Sequence, residues 1–274
     1  MHKMSFFSKK IIHWQKINGR NNLPWQAKSP YHVWISEIML QQTQVKTVIP
    51  YFHKFINSFP SIKSLAESNL DNVLASWSGL GYYTRAKNIH LTSKIIHEKY
   101  NGSIPNNYDQ LIELPGIGES TAGALLSLAF DEPGIILDGN VKRVLSRVLA
   151  NQSPINQPKT QNELKKFANE ILPKKNFRTY SQGMMDLGSL ICTSVNPKCK
   201  SCPIKSICKS FELNLQNSIP VKNSKSLKKE RNINWVLISS KDKVLLKRNK
   251  SKGVWQNLWP VSYTHLRAHE TSEN

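Results

Sequence analysis

Hydrophobic residues recur at helical spacing over about the first 215 residues of the chain. Phe52, Phe55, Ile56 and Phe59 follow the i, i+3, i+4, i+7 spacing that places side chains on one face of a helix. Prolines and glycines separate such segments, and no alternating strand pattern competes, so the chain is predicted to be all-α here. Further helical faces are predicted at Ile11–Ile17, Val33–Leu40, Leu70–Trp77, Ile89–Ile96, Thr121–Phe130, Val141–Leu149 and Leu164–Leu172.

The pattern changes after Cys208. Residues 216–231 are polar and basic without periodicity, which indicates a linker, although such a segment could also lie along a phosphate backbone. Ile233–Ile238 and Lys243–Leu246 then predict two short strands joined by a turn at Ser239–Asp242.

The end of the chain predicts an incomplete second domain. About forty residues follow the linker, which is too few for an independent core. The stretch from Ser262 to Asn274 is polar and carries no strand or helix signal. We therefore expect part of a domain over residues 232–261 and an unrelated tail over 262–274.

The charge balance points to a polyanionic partner. The 274 residues include 38 Lys and Arg against 18 Asp and Glu, a formal net charge of +20. On a globular composition this excess favours nucleic acid, although a generally basic proteome would give the same balance. The sequence contains no apolar run long enough to cross a membrane and no N-terminal secretory signal, so we expect a cytoplasmic, nucleoid-associated protein of bacterial type without a membrane partner.

All four cysteines fall within one short segment, at Cys192, Cys199, Cys202 and Cys208. This clustering favours one metal site in a reducing compartment over a disulfide framework. Only Cys199 and Cys202 have the short C-x2-C spacing of zinc knuckles. The longer spacings to Cys192 and to Cys208 suit a larger cluster. The spacing favours a [4Fe–4S] cluster, with zinc or unligated structural cysteines as the alternatives.

A glycine-containing turn precedes a predicted helix near the middle of the chain. Leu114, Gly116 and Gly118 belong to the string LPGIG, and Glu119–Ala124 follows it. Glycines allow a tight turn, and backbone N–H groups at the start of a helix can hold a phosphate oxygen. The pattern predicts a helix–hairpin–helix that grips the DNA backbone, and a plain turn between packed helices is the alternative.

Two carboxylates stand in unusual surroundings. Glu37 interrupts an apolar helix between Trp34 and Leu40, where desolvation would raise its pKa and keep it available as a general acid. Asp138 directly follows an apolar run and precedes a helix. An exposed helix residue and a helix N-cap are the ordinary alternatives. As a pair they suit glycosidic bond cleavage, which needs an acid at the leaving group and an anion near an oxocarbenium-like sugar.

Two further segments suit contacts with bases. Gln41 and Gln42 begin the string QQTQ after the Glu37 helix, and their amides could replace base hydrogen bonds or enter a duplex. Tyr82 and Tyr83 follow flexible glycines, an arrangement that suits base stacking. An ordinary turn between helices and ordinary core packing are the respective alternatives.

Seven strings in this order resemble the adenine DNA glycosylases of the MutY type. The resemblance covers about Phe6–Cys208 and continues weakly to Pro260. The strings are LPW (Leu23–Trp25), VWISEIMLQQTQV (Val33–Val45), GLGYYTRA (Gly79–Ala86), LPGIGESTAGA (Leu114–Ala124), ILDGNVKRVL (Ile136–Leu145), MMDLG (Met184–Gly188) and the four-cysteine segment.

The resemblance implies two helical subdomains with DNA and a flipped base between them. Residues 25–132 would form a six-helix barrel with the helix–hairpin–helix, and residues 1–24 with 133–215 an iron–sulfur cluster subdomain. The fragment at 232–261 would open an α/β Nudix-like domain. Family members remove adenine opposite 8-oxoguanine or guanine, so the expected partner is double-stranded DNA with such mispairs, bound by a monomer.

The same resemblance implies roles for single residues. Glu37 matches the acid that protonates adenine at N7, and Asp138 the carboxylate that stabilises the sugar cation. Tyr82 matches an active-site aromatic, Asn140 a hydrogen-bonding neighbour of the acids, and Gln42 a residue inserted where the base left. Gly116 and Gly118 match the glycines of the hairpin that binds the DNA backbone in this family, and the four cysteines match its [4Fe–4S] ligands.

Ser120 distinguishes this sequence from a related group of enzymes. Related endonuclease III-type enzymes carry a lysine there whose amine attacks the sugar, whereas serine cannot form a Schiff base. We expect a monofunctional glycosylase with water as the final nucleophile, and we count Ser120 among the DNA contacts. The alternatives are a bifunctional pyrimidine glycosylase and lyase of the same superfamily, a non-catalytic iron–sulfur DNA-binding protein, and a zinc-stapled helical adaptor.

Overall fold

The structure is a computed structural model that describes residues 2–26, 29–222, 233–250 and 258–265. As predicted, the chain is mainly helical. The α-helices are α1 (His2–Asn18), α2 (Pro30–Leu40), α3 (Val45–Ser58), α4 (Ile62–Ala66), α5 (Leu70–Trp77), α6 (Thr84–Lys99), α7 (Tyr108–Ile112), α8 (Glu119–Ala124), α9 (Gly139–Leu149), α10 (Pro158–Glu170), α11 (Phe177–Asp186) and α12 (Lys209–Glu212). π-Helical turns extend α8 over Leu125–Ala129 and α11 over Leu187–Ile191. None of the described helices is both long and apolar enough to cross a bilayer.

Polar residues fix the starts of several helices. Ser61 and Ser64 form a reciprocal capping box at α4, and Asn69 accepts a backbone hydrogen bond at the start of α5. Asp138 does the same for α9. Such side chains satisfy backbone N–H groups that the helix itself leaves unpaired.

Two clusters of buried apolar side chains organise the helices. The first gathers α2–α8 around residues such as Trp34, Phe55 and Trp77. The second gathers α1 and α9–α11 around residues such as Phe7 and Leu145, and the cysteine segment packs against it. The sequence therefore builds two cores from one helical chain, while the subdomain boundaries given above remain predictions.

The two clusters meet at a close backbone contact. A Cβ atom on Gly123 of α8 would fall inside the backbone of Ile135, and one on Gly134 would fall inside the backbone of Gly123. Beside this contact the Leu137 N–H donates to Ser120 Oγ at 3.1 Å. Because this extended segment leads directly into Asp138, the contact fixes where that carboxylate lies relative to α8.

The described residues after 232 form four short strands. These are β1 (Ile233–Val236), β2 (Ser239–Ser240), β3 (Lys243–Val244) and β4 (Ser262–His265). β1 pairs with β4 in antiparallel register, and β2 pairs with β3.

Two predictions about these strands are wrong. The turn is shorter than Ser239–Asp242, because Ser239 and Ser240 are strand residues and Lys241 takes a left-handed conformation. Ser262–His265 also forms a strand where none was expected, since backbone pairing with β1 does not require apolar side chains. Residues 223–232 and 266–274 of the predicted linker and tail lie outside the described residues.

Replacement of Gly123 by alanine tests the contact between the clusters. We expect Gly123→Ala to lower the free energy of unfolding by about 1–3 kcal/mol, because the added methyl group meets backbone that cannot move aside. Gly139→Ala is the matched control, since a Cβ there meets no atom within 4 Å. Urea unfolding measures both variants, and equal stabilities would contradict the role of Gly123.

Candidate active site

A large cleft lies where the two clusters face each other. Its volume is about 930 Å³, near the upper end of the roughly 300–1,000 Å³ of small-molecule pockets, and it is open to solvent. A cleft of this size and openness can admit part of a polymer. It brings together six of the residues predicted from the sequence: Glu37, Gln41, Gln42, Ser120, Asp138 and Asn140.

Among the described residues, Glu37 and Asp138 are the two acidic residues that line this cleft. Glu37 lies on α2, where most of its neighbours in the helix are buried, and its own side chain is only partly accessible. Burial, with a smaller contribution from the negative charge of Asp138, raises the pKa of Glu37 to about 7. Glu37 is therefore desolvated as the sequence predicted, and its protonated form is more stable at neutral pH than that of an exposed glutamate.

Asp138 is held by two donors. Its Oδ1 accepts the Val141 N–H at 2.7 Å, which makes it the N-cap of α9. Its Oδ2 accepts from Asn140 Nδ2 at 2.9 Å. Hydrogen bonds to both oxygens fix the orientation of the carboxylate. The N-cap role weighed from the sequence is therefore real, and it leaves Asp138 on the wall of the cleft.

Arg143 connects this carboxylate to the cysteine segment. Its Nη2 donates to Asn140 Oδ1 at 2.9 Å and to the Gly188 carbonyl at 2.5 Å. Its Nε donates to the Cys192 carbonyl at 2.7 Å. Since the oxygen of Asn140 is occupied by Arg143, its amide nitrogen is directed to Asp138. Sequence reasoning missed Arg143, because nothing in its spacing distinguishes it from a surface arginine.

Arg20 and Gln182 also line the cleft and were missed. Both bind Asp186, whose side chain is fully buried: Arg20 donates through its backbone N–H and its Nε at 2.7 Å each, and Gln182 Nε2 donates at 2.9 Å. A buried carboxylate needs such partners. The signal in the sequence was the four-residue spacing of Gln182 and Asp186, which places them on one helix face.

The loop after α2 projects into the mouth of the cleft. Gln42 is exposed there with a left-handed φ of 59°. Two hydrogen bonds hold Gln41 in place. Its Nε2 donates to Thr121 Oγ1 at 3.3 Å, and its carbonyl accepts from Arg85 at 2.8 Å. Ser120 lines the cleft next to Thr121, and its hydroxyl accepts the Leu137 N–H.

The remaining predicted residues lie outside the cleft lining. Tyr82 is 59% exposed, with the Arg85 guanidinium 5.3 Å from its ring centroid. Gly116 takes a φ of 82° in the hairpin turn, and Gly118 has open space at its Cβ position. Leu114 is buried, and its N–H and carbonyl are bonded within the turn, so it belongs to the frame of the hairpin. The roles given to these residues remain predictions.

The four cysteines line one separate cavity. Apolar side chains such as Leu187, Ile204 and Phe211 complete the wall of this cavity. All four are free thiols, and among the described residues no three His, Cys, Asp or Glu side chains form a group that could hold a single metal ion. Burial raises the pKa of Cys202 to about 12, so its thiolate needs a cation beside it.

Comparison with known proteins agrees with this fold. Residues 35–170 match the family model described as HhH-GPD superfamily base excision DNA repair protein. A solved thermostable thymine-DNA glycosylase matches with a TM-score of 0.70 and 25% identity, over 77% of this chain and 98% of that one. These matches define a base excision repair protein of helix–hairpin–helix type.

Two curated relatives identify the family within this class. The adenine DNA glycosylases of Buchnera aphidicola subsp. Baizongia pistaciae and subsp. Schizaphis graminum are 48% and 46% identical to this chain. Each alignment covers 92% of this chain, and 72% and 73% of the respective relative. The chain belongs to the adenine DNA glycosylase family and is a DNA N-glycosylase.

The raised pKa of Glu37 makes a prediction about stability. A carboxyl with a pKa near 4.5 in the unfolded chain and about 7 in the fold costs stability as pH rises between these values. We expect Glu37→Gln to raise the free energy of unfolding by about 1–3 kcal/mol at pH 8 and to change it little below pH 4.5. Denaturant titrations at both pH values measure this, and equal effects at both would contradict it.

Proposed function

We propose that this chain removes adenine from duplex DNA opposite 8-oxoguanine or guanine, with Glu37 as the acid and Asp138 as the carboxylate beside the sugar. One observation supports this most: a desolvated Glu37 and a hydrogen-bonded Asp138 share one cleft, in contrasting surroundings. Pairs of carboxylates in contrasting environments are how proteins divide acid and anion roles.

Glu37 acts on the leaving group. The adenine leaves the base stack and enters the cleft, where Glu37 donates its proton to N7. The bond between the base nitrogen and C1′ of the sugar then breaks, and its electron pair stays with the base, which departs as neutral adenine. Glu37 is left as a carboxylate that accepts a proton from the attacking water.

Asp138 acts on the sugar. Bond cleavage leaves positive charge on the sugar ring, and an anion fixed beside it lowers the energy of that state. The hydrogen bonds from Val141 and Asn140 keep the carboxylate in place without movement during the reaction. Arg143 supports this arrangement by orienting Asn140.

Gln182 suits recognition of the adenine edge. Its amide nitrogen is committed to the buried Asp186, so its amide oxygen is the group that can accept from the 6-amino group of adenine. Arg20 is held by the same carboxylate and presents a cationic surface to the cleft.

Ser120 suits a monofunctional reaction. It lines the cleft at the position where a lysine would attack the sugar, and its hydroxyl is engaged with the Leu137 N–H. Water is then the nucleophile, and the DNA strand stays intact at the abasic product.

The cysteine cavity suits a [4Fe–4S] cluster. The observation that supports this is that four thiols line one cavity and yet are not grouped so as to hold a single metal ion. Such a cluster would supply a crosslink between Cys192 and the later cysteines. Arg147, which is buried, donates from Nη1 to Cys192 Sγ at 3.3 Å and so holds this side chain at the cavity.

The positive charge of the chain would attract the phosphates of duplex DNA and hold the duplex across both the cleft and the hairpin.

A base-release assay tests the proposed function. Adenine should be released from adenine:8-oxoguanine and adenine:guanine duplexes but not from a guanine:thymine duplex, and the strand should break only after alkali treatment. The single-turnover rate should fall as pH rises above about 7, because protonated Glu37 is lost. Thymine release, or strand breakage without alkali, would favour the bifunctional alternative.

Matched variants separate chemistry from binding. Glu37→Gln should slow base release by about 100-fold or more and change DNA affinity little, whereas Glu67→Gln, at an exposed glutamate paired with Lys63, should leave the rate unchanged. A Glu37→Gln enzyme with normal rate would remove Glu37 from the mechanism.

The cluster has its own test. Purified protein should be brown and contain about four iron and four sulfide atoms per chain, and Cys199→Ser should lose the colour. A colourless protein with one zinc per chain would contradict the [4Fe–4S] proposal.

A further inference from the structure

Arg85 is the most heavily hydrogen-bonded buried side chain that the proposed mechanism leaves unused. It is 8% exposed, although it lies in α6 and carries a charge. Its Nη1 donates at 2.8 Å to each of three carbonyls, those of Ile38, Met39 and Gln41. These carbonyls end α2, so Arg85 caps the helix that carries Glu37.

The other terminal nitrogen faces a second loop. Arg85 Nη2 donates to the carbonyls of Gly81 and Leu80 at 3.2 and 3.4 Å, and to Thr43 Oγ1 at 3.4 Å. The planar guanidinium also lies 5.3 Å from the ring centroids of both Trp77 and Tyr82. One side chain therefore joins the loop after α2 to the loop before α6.

Each of these loops carries an exposed side chain on strained backbone. Gln42 has a φ of 59° and Tyr82 a φ of 51°, in the left-handed region that costs energy for residues other than glycine. Such conformations persist where surrounding contacts enforce them. Arg85 binds the backbone immediately before both residues, at Gln41 and at Gly81.

We propose that Arg85 is a positioning residue that holds Gln42 and Tyr82 as one rigid pair for insertion into duplex DNA. The proposal rests on the proposed function, because it assumes that adenine is extruded from the duplex into the cleft. A fork of N–H groups reaching both loops needs a guanidinium, since a lysine ammonium is a single point charge on a flexible stem. Without these hydrogen bonds the two loops can move separately. Ordering them on insertion then opposes base extrusion, because the two side chains are no longer held in the conformation that enters the duplex.

Extrusion can be measured apart from chemistry. We use a duplex with 2-aminopurine at the target position and enzyme carrying Glu37→Gln, so that the fluorescence rise reports base extrusion without bond cleavage. In this background we expect Arg85→Lys to weaken extrusion about tenfold, the scale of one lost hydrogen bond to a charged group. Replacing both members of the pair, Gln42→Ala together with Tyr82→Ala, should weaken it at least as much. Adding Arg85→Lys to that double variant should change extrusion by less than about twofold, because neither wedge side chain is then left to position.

The controls distinguish positioning from plain stabilisation. Arg178→Lys removes a guanidinium that caps the π-helical turn at the Leu128 and Ala129 carbonyls, away from the cleft. It should lower the thermal unfolding midpoint yet leave extrusion unchanged. Equal loss of extrusion in Arg178→Lys, a further tenfold loss when Arg85→Lys is added to the variant that lacks both wedge side chains, or unchanged extrusion in Arg85→Lys would each overturn the proposal.

Two further measurements keep the outcome decisive. If Arg85→Lys does not fold, Thr43→Ala removes one half-buried hydrogen-bond partner of Arg85 Nη2 and should still reduce extrusion about twofold. No reduction would overturn the proposal.

Adenine release by the unmodified chain is measured first. If it is absent, the proposed function fails; if it is present, the Arg85 variants judge the positioning role alone.

Discussion

The close backbone contact between Gly123 and Ile135 sets the geometry of the whole site. Glu37 belongs to helices built around the first hydrophobic cluster, whereas Asp138 leads into a helix of the second. The relative position of the two carboxylates therefore depends on how closely these clusters approach each other. A side chain at position 123 would push them apart, and a shift of the order of an ångström is enough to impair catalysis.

Within that geometry, the two acids differ because their surroundings differ. Glu37 lies against apolar helix residues that cannot solvate its negative charge, so the fold favours its protonated form. Asp138 lies at a helix start, where a backbone N–H and an amide donate to it. The contrast is produced by ordinary elements, a buried helix face and a helix cap. Placing Glu37 on the buried helix face lowers the free energy of unfolding at neutral pH.

The helices and the desolvation of Glu37 could be predicted from sequence because both depend on local patterns. The spacing of Phe52 and its neighbours predicted α3, and an acid within an apolar helix indicated desolvation. Long-range contacts gave no such signal. The hydrogen bonds of Arg85 and Arg143 span more than forty residues of chain, and nothing beside these arginines distinguishes them from surface residues. The strand at Ser262–His265 was missed for a related reason, since its partner, β1, is remote in sequence.

The hydroxyl of Ser120 couples the wall of the cleft to the backbone beside it. It accepts the Leu137 N–H in the segment that leads to Asp138, so the side chain at position 120 supports that segment and also lines the cleft. A protonated amine at this position has no lone pair to accept the hydrogen bond, so a lysine there would leave the Leu137 N–H without this partner. The chemistry of the side chain at position 120 and the placement of the Asp138 carboxylate therefore cannot change independently of each other.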